Sequence, residues 1–442
     1  MNRTYIEGLK DNVGKEVSIS GWVDVRRDHG KLIFIDLRDM TGKVQTVILP
    51  NHPEASKIAQ DLRSEWVVSM TGRVNERPLK MINKDVQNGN IEFEVFSIEV
   101  LSAAKELPFE LNADTNIDTY LDYLPLTLRT DKHAAIFKIQ AVITKSFRDF
   151  FNSRRFTEIQ VPKLIGNDAE GGANSFNVEY FKHTARLAQS PQLYKQIMVG
   201  VFERVFALGN VYRAEKHSTT RHLNEYTSLD IEMGFIKDHE DIMNIETEFL
   251  RELCIVLQAE CSKEFELLNA RIPNLPEIIP RMSLRDAQKL ITKETGNDCM
   301  NEPDLEPEHE RWICAYAKDN LNSEFIFITN FPTAKRPFYT YRDKKDPTYT
   351  KGFDLLFRGV EITTGAQRIH NYDDLVTSMK EKELDPEKFS FYLQAFKYGL
   401  PPHGGFGLGL ERLTAKLLNI DNVKEATLFP RDMNRIDISL SE

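Results

Sequence analysis

Cysteine is scarce in this sequence, and long apolar runs are missing. The 442 residues include four cysteines, and no two of them have the CxxC spacing of a thiolate zinc site or a redox pair. We therefore expect reduced thiols without a chemical role at Cys254, Cys261, Cys299 and Cys314. No stretch approaches the ~18 consecutive apolar residues of a membrane-spanning helix. The first residues also lack the apolar core of a signal peptide, which predicts a cytoplasmic protein.

The glycine-rich signatures of common nucleotide sites are absent too. No GxxxxGK[ST] loop occurs, and no GxGxxG opens a helix after an early strand. A nucleotide that binds here would therefore be held by side chains. The formal net charge of -10 argues against general affinity for nucleic acid, so any such contact needs a local patch.

The first 105 residues show five strand-like runs. Residues 16–49 alternate with period two and are broken by turns at 28–30 and 40–42, and the runs EWVVSMTGRV and NIEFEVFSIEVL follow. A polar helix candidate near residues 55–62 separates the third strand from the fourth. This order predicts a small closed barrel of the oligonucleotide-binding (OB) type over residues 1–105. The loop-like residues 106–130 are predicted to form a hinge or linker.

The pattern changes at residue 131. Apolar residues at steps of three and four predict an amphipathic helix from Asp131 to about Asn152, and the following RRFTEIQVPKL reads as a strand. A second long helix is predicted at 241–257. Strands are predicted near 325–329, 353–358, 360–364 and 404–407, before a last helix that begins near Leu410. Separate runs of helices and strands predict an α+β domain over residues 131–442, with an antiparallel sheet flanked by helices.

Three stretches resemble the ordered motifs of class II aminoacyl-tRNA synthetases. The first long helix, the strand after it and Pro162 resemble motif 1. The segment YRAE with RHLNEYTSLDIEMGF resembles motif 2, and GFGLGLER resembles motif 3. The runs LAQSPQLYKQIM, GVEITTGAQRIHNYDDL and YGLPPHGGFGLGLERL are similar to aspartyl-tRNA synthetases of the archaeal and eukaryotic type. The resemblance covers nearly the whole chain and implies activation of L-aspartate by ATP, followed by transfer to tRNA(Asp).

The resemblance also implies an ATP site built largely from cations. Arg213 would hold the α-phosphate and Arg412 the γ-phosphate, and these two are the implied catalytic residues. Planar guanidinium groups suit phosphates because they donate in a fixed fork. The other implied ATP contacts are Glu215 to the adenine amino group, Tyr226 stacked on the adenine ring, and Arg221, His222 and Glu361 near the outer phosphates.

Two further sets of residues are carried over in the same way. Arg368 would grip the side-chain carboxylate of aspartate, and Lys195 would add a second positive charge, which a neutral amide substrate would leave unpaired. Glu170 lies in a glycine-flanked loop that would close over the ammonium group. The implied aspartate pocket is Glu170, Ser190, Gln192, Lys195, Asp230, Thr364 and Arg368, and the implied Mg²⁺ ligands are Asp354, Glu361 and Thr364.

The barrel is implied to read the tRNA anticodon. Phe34 has the opposite strand parity to Ile33 and Ile35, so its ring should point away from the core and can stack on a base. Gln45 resembles a side chain that reads the same loop, and Arg27 is a candidate for a base or phosphate contact. His29 and Pro78 resemble residues of relaxed enzymes that charge both tRNA(Asp) and tRNA(Asn).

Other assignments remain open at this point. An asparagine–tRNA ligase has similar second and third motifs, and a tRNA-independent, asparagine synthetase-like ligase shares the catalytic fold but lacks the barrel. A non-catalytic tRNA-binding protein would be expected to have lost Arg213, Glu361 or Arg412, and all three are present. The first motif implies a homodimer. No role is assigned to residues 266–311 or to the FPRD sequence near the C-terminus.

Overall fold

The computed structural model describes residues 2–84, 86–166, 175–216 and 218–440. The chain divides into two compact units, Met1–Ala113 and Asp114–Glu442. Within the described residues, no helix combines the length and the apolar character that crossing a membrane requires.

The first unit is a closed barrel with strand order β1-β2-β3-β5-β4. Alternate residues of each strand point inward, and Val23, Ile35, Leu37 and Phe93 are among those that fill the core. The barrel and the helix after its third strand were both predicted from the sequence, and both are confirmed. Its elements are β1 (Glu16–Asp28), β2 (Ile33–Asp39), β3 (Gly42–Ile48), α1 (Pro53–Asp61), β4 (Val67–Glu76) and β5 (Ile91–Ser102).

The second unit is built on an eight-stranded sheet with order β12-β13-β14-β15-β16-β11-β10-β6. Its helices are α2 (Ile117–Asp122), α3 (Leu124–Thr127), α4 (Asp131–Ser153), α5 (Gln192–Phe202), α6 (His239–Glu260), α7 (Ser262–Leu267), α8 (Leu284–Thr295), α9 (Pro307–Asn320), α10 (Tyr372–Glu381), α11 (Ser390–Lys397) and α12 (Leu410–Leu417). Its strands are β6 (Thr157–Glu158), β7 (Leu164–Ile165), β8 (Asn177–Tyr180), β9 (His183–Leu187), β10 (Arg204–Tyr212), β11 (Glu225–Gly234), β12 (Arg281–Ser283), β13 (Phe325–Thr329), β14 (Gly352–Phe357), β15 (Val360–Gln367) and β16 (His403–Gly409).

The six central strands of this sheet pair antiparallel, and the two outermost strands, β12 and β6, pair parallel to their neighbours. Helices α4 and α6 cover one face through a cluster of aromatic rings. Phe147 lies 5.2 Å from Phe249 and 5.9 Å from Phe206, measured between ring centroids. The predicted α+β class is confirmed, with the sheet antiparallel at its centre and mixed at its edges.

Two stretches differ from their predicted form. The strand predicted over 154–164 is much shorter, because the chain pairs with β10 only at Thr157–Glu158 and then moves to a three-stranded sheet through Leu164–Ile165. Pro162 lies between the two pieces and has no N–H to donate to a ladder. The predicted linker, residues 106–130, includes the helices α2 and α3.

Residues 266–311 extend and cover the sheet. Strand β12 adds an edge strand beside β13. Helices α8 and α9 pack on the sheet through a separate apolar cluster that includes Leu284, Ile313 and Ile328. This insertion therefore belongs to the second unit and brings α9 close to the cavity described below.

Candidate active site

A cavity of about 310 Å³ opens on the face of the large sheet opposite α4 and α6. It brings together almost every residue of the second unit that was predicted to contact ATP, aspartate or a metal ion. Those that line it are Ser190, Gln192, Lys195, Arg213, Glu215, Arg221, His222, Tyr226, Asp230, Glu361, Thr364, Arg368 and Arg412. Asp354 does not line it, and Glu170 lies outside the described residues.

The strand β11 supplies the floor of the cavity through its alternation. Leu229, Ile231 and Met233 enter the apolar core beneath the sheet. The residues between them point the other way, so that Ser228 and Asp230 line the cavity. One face of this ten-residue strand of the second motif therefore packs in the core, and its other face lines the cavity.

The strand β16 gives this floor its depth because its cavity face consists of glycine. Gly405 and Gly407 lie opposite Glu232 and Asp230 in the antiparallel register. A methyl group on Gly405 would collide with the Ile231 carbonyl and the Glu232 carboxylate. The third motif thus needs glycine here so that the acidic side chains of β11 can lie across its backbone.

Arg368 lines the cavity and is buried in an ion pair. Its Nε donates to Glu232 Oε1 at 2.9 Å, and its Nη2 donates to Gln192 Oε1 at 3.2 Å and to the Gly405 carbonyl at 2.9 Å. Burial opposes a charge on the guanidinium, but the Glu232 carboxylate outweighs it and raises the pKa of Arg368. Burial likewise opposes ionisation of Glu232, and Arg368 with Lys195 lowers the pKa of Glu232 below its usual value. Both groups are therefore charged at neutral pH.

Lys195 is also buried and paired. Its Nζ lies 2.9 Å from Asp230 Oδ1 and 3.4 Å from Glu232 Oε2, and it donates to the Phe406 carbonyl at 3.1 Å. The expectation that an amide substrate would leave Lys195 without a partner is therefore wrong. Two cations and two carboxylates form one buried network here, so the pocket has no excess positive charge that would favour an acid over an amide.

Two donors in this pocket still have unused capacity. Among the described residues, Arg368 Nη1 has no hydrogen-bond partner, and the buried Nε2 of Gln192 has none. Both side chains line the cavity. Because a buried polar donor without a partner costs free energy, Gln192 Nε2 marks where a ligand oxygen would be favoured, and Arg368 Nη1 offers a second, charged donor.

Arg213 and Arg412 lie in the same cavity beyond the Lys195 pocket. The guanidinium carbon of Arg213 is 5.6 Å from the centre of the Tyr226 ring. Arg412 Nη1 donates to the Glu361 carbonyl at 3.0 Å and lies 4.0 Å from Glu361 Oε1. Burial disfavours the Glu361 carboxylate, but Arg412 and the Thr364 hydroxyl outweigh it and lower the pKa of Glu361. Arg213 and Arg412 thus give this part of the cavity two cations, with the ionised Glu361 carboxylate beside Arg412.

Two further predicted cations, in the loop that joins β10 to β11, contact acidic residues. Arg221 Nη2 is bonded to Glu310 of α9. His222 Nε2 lies 3.6 Å from Glu215 Oε2, and its Nδ1 lies 2.7 Å from the Thr219 hydroxyl. Glu215 and His222, predicted to contact opposite ends of ATP, are therefore neighbours in this structure.

The three predicted metal ligands are neighbours on the sheet, but only two of them line the cavity. The Thr364 hydroxyl donates to Glu361 Oε1 at 2.8 Å, and both residues line the cavity. Asp354 pairs directly with Thr364 across β14 and β15, so it lies on the same face of the sheet, where it is buried and its Oδ2 accepts from Arg336 at 2.6 Å. Burial raises the pKa of Asp354 to about 7, with Arg336 opposing the rise. Among the described residues, no group of three His, Cys, Asp or Glu side chains is arranged to hold a metal.

Several site residues were missed by the sequence reasoning. Glu232 pairs with Arg368, Glu310 pairs with Arg221, and Arg336 pairs with Asp354. The FPRD stretch was also given no role, yet the Asn224 backbone N–H donates to the Arg431 carbonyl at 2.8 Å and so connects this stretch to the loop between β10 and β11. Only Arg336 had a local signal, since it lies in a basic stretch, TAKRPFYTYRDKK, between two strands.

The barrel presents its predicted residues on one outer face. Arg27 pairs with Phe34 across β1 and β2, and Asp36 pairs with Gln45 across β2 and β3. Directly paired residues share a face, and so do residues two apart, so Arg27, Phe34 and Gln45 are placed together. Phe34 is half-buried while Ile33 and Ile35 are buried, which confirms its predicted outward direction. His29 lies edge-on to Phe34 at 5.6 Å between ring centroids, and Pro78 is exposed in the loop after β4.

Comparison with known families matches both units. Residues 116–433 match the family described as tRNA synthetases class II (D, K and N), and residues 17–101 match the OB-fold nucleic acid binding domain. The chain therefore belongs to the class II tRNA synthetases of the D, K and N group, a family that uses ATP.

Among curated proteins, the chain is 45% identical to the aspartate–tRNA(Asp/Asn) ligase of Deinococcus radiodurans, with 99% of each chain covered. It is 40% identical to the aspartate–tRNA(Asp) ligase of Thermoplasma volcanium, covering 99% of this chain and 100% of that one. Among solved structures, it superposes on asparaginyl-tRNA synthetase from Pyrococcus horikoshii, complexed with asparaginyl-adenylate, with a TM-score of 0.91 at 31% identity and 99% coverage of each chain.

Proposed function

We propose that this chain is an aspartate–tRNA ligase. It activates L-aspartate with ATP, releases pyrophosphate, and transfers the aspartyl group to tRNA(Asp). The observation that carries the proposal is that Arg213, Arg412 and Arg368 line one cavity together with Lys195. That cavity joins two cations suited to a triphosphate with a pocket whose free donors suit a small carboxylate.

The chemistry requires positioning more than covalent help from the protein. In the first step an oxygen of the aspartate α-carboxylate attacks the α-phosphorus, and the bond to the leaving pyrophosphate breaks. In the second step a tRNA hydroxyl attacks the carbonyl carbon of the adenylate, and AMP leaves. Arg213 would stabilise the charge that develops on the α-phosphate, and Arg412 would hold the γ-phosphate. Tyr226 would stack on the adenine.

The amino-acid pocket fits aspartate through two donors. Arg368 Nη1 and Gln192 Nε2 would both reach the substrate, because neither is satisfied by the described protein residues. Glu232 would not bind the substrate; it holds Arg368 in position through Nε and Nη2. Lys195 would contribute as part of the same charged network, in which Asp230 is its nearest acidic partner.

A magnesium ion belongs to the proposal as a cofactor. The Glu361 carboxylate and the Thr364 hydroxyl line the cavity and are oxygen donors of the type that Mg²⁺ prefers. When bound, Mg²⁺ neutralises phosphate charge. Asp354 pairs with Thr364 on the neighbouring strand and would add a further oxygen donor: among the described residues, its buried Oδ1 has no partner, and its Oδ2 is held by Arg336.

The competing amide substrate is less well supported. The solved asparaginyl enzyme has the same fold, so the superposition does not separate the two substrates. The curated relatives at 40–45% identity over nearly the full chain carry aspartate in their names. The tRNA-independent ligase is disfavoured by the OB-fold match over residues 17–101.

A second tRNA substrate, tRNA(Asn), is favoured by one specific comparison. The Deinococcus radiodurans and Thermus thermophilus proteins, at 45% and 44% identity, are both named aspartate–tRNA(Asp/Asn) ligases. His29 lies beside Phe34 on the proposed anticodon face, where it can influence which base is accepted. A homodimer formed through the first motif and a cytoplasmic site of action complete the proposal.

Aspartate-dependent exchange of pyrophosphate into ATP tests the first step. The purified chain should catalyse this exchange with aspartate and not with asparagine. Exchange that depends on asparagine alone would overturn the substrate assignment, and no exchange with either amino acid would overturn the proposed activity.

A further inference from the structure

The insertion that carries α9 supplies an acidic residue to the active site. Glu310 lies on α9 (Pro307–Asn320), which packs against the sheet through the cluster around Ile313. Its carboxylate is bonded to Arg221 Nη2, and its side chain is 10% exposed. The contact joins residues 89 positions apart. A helix fixed on the core thus reaches the loop of the β10–β11 hairpin.

The two ends of the Arg221 guanidinium have different environments. Nη2 is held by Glu310. Among the described residues, Nη1 has no hydrogen-bond partner although it is buried. Arg221 also lines the cavity. A guanidinium group is planar and donates in a fixed fork, so fixing one nitrogen fixes the direction of the other.

We propose that Glu310 is a positioning residue that orients Arg221 Nη1 toward the outer phosphates of ATP. This inference rests on the proposed function, because it assigns a role to Arg221 in ATP binding. Without Glu310, the arginine would keep its charge but lose its direction. ATP binding would then have to order the long Arg221 side chain, and the lost conformational entropy would weaken ATP binding.

A competing arrangement makes the opposite prediction. If Glu310 held Arg221 away from ATP, removing its charge would strengthen ATP binding. The unpartnered Nη1 argues against that reading, because the ion pair uses only one end of the guanidinium and leaves the other in the cavity. The sign of the change in KM for ATP therefore separates the two arrangements.

The test compares Glu310→Gln with the unaltered protein in ATP–pyrophosphate exchange. We expect KM for ATP to rise about tenfold, corresponding to about 1.4 kcal/mol, while KM for aspartate stays within about twofold. Glu308→Gln is the matched control, since Glu308 is on the same helix but its side chain is 66% exposed. An unchanged or lower KM for ATP in Glu310→Gln would overturn the proposal.

A double-mutant cycle with Arg221→Gln removes the ambiguity of a folding defect. If Glu310 acts through Arg221, Glu310→Gln should add no further rise in KM for ATP on the Arg221→Gln background. Full additivity would overturn the positioning role. An unaltered protein with no aspartate-dependent exchange would instead count against the proposed function, so the two failures can be told apart.

Discussion

Replacing Arg368 with leucine tests the amino-acid pocket at its centre. Arg368 is 5% exposed and bonds Glu232, Gln192 and the Gly405 carbonyl. Arg368→Leu removes the proposed contact to the aspartate side chain. It also removes the main partner of the Glu232 carboxylate, which is 0% exposed. Binding and stability should therefore both change, and the two effects have to be separated.

The magnitudes follow from these contacts. A hydrogen bond to a charged group contributes about 1.5–3 kcal/mol, so losing the one proposed bond from Arg368 Nη1 to the aspartate carboxylate corresponds to a decrease of roughly 10- to 150-fold in kcat/KM for aspartate. Leaving a buried charge without its partner costs about 3–5 kcal/mol of folding free energy. Lys195 remains 3.4 Å from Glu232 and should keep the loss near the lower value.

The assay is aspartate-dependent pyrophosphate exchange, with ATP binding measured separately by calorimetry. Arg368→Leu should lose exchange and still bind ATP. The double variant Arg368→Leu, Glu232→Gln should recover stability in urea unfolding, because the orphaned charge is gone, but should not recover exchange. Near-normal exchange in either variant would refute the role of Arg368.

Two further changes test other parts of the molecule. Phe34→Ala should raise KM for tRNA about 5- to 150-fold without changing pyrophosphate exchange, since base stacking contributes about 1–3 kcal/mol. An unchanged KM for tRNA would contradict the anticodon assignment. Glu246 on α6 is 0% exposed, and burial, with Asp354 nearby, raises its pKa from 4.5 to about 8. Because the folded state keeps this proton while the unfolded state releases it, stability should fall by at most about 4–5 kcal/mol as pH rises from about 4.5 to 8. Glu246→Gln should remove that fall. In urea unfolding, the variant should therefore be more stable than the unaltered protein at pH 9 but not at pH 4.5. An equal difference in stability at both pH values would contradict the raised pKa of Glu246.

Local patterns were enough to predict most of the scaffold. The alternation in β2 placed Ile33 and Ile35 inward and Phe34 outward, and the structure agrees. The spacing of apolar residues predicted α4 to within about one residue at its C-terminal end, because its buried positions follow the helical period. The strand after it was predicted too long, since whether a short segment pairs depends on a neighbour distant in the chain.

The partners of the site residues could not be predicted in the same way. The sequence shows that Lys195 and Arg368 are cations, but not that Glu232 lies between them, 37 residues from one and 136 from the other. Likewise, nothing near Arg221 in the sequence indicates Glu310. Such pairs arise from the register of β11 on β16 and from the packing of α9, and both are set by the complete fold.

The most direct test of the account is a charging assay with two amino acids and two purified tRNAs. Aspartate and asparagine are each offered with tRNA(Asp) and with tRNA(Asn), and the acylated tRNA is measured. We expect aspartyl-tRNA(Asp) and aspartyl-tRNA(Asn) to form, with no product from asparagine. Formation of asparaginyl-tRNA(Asn) without any aspartyl product would contradict it.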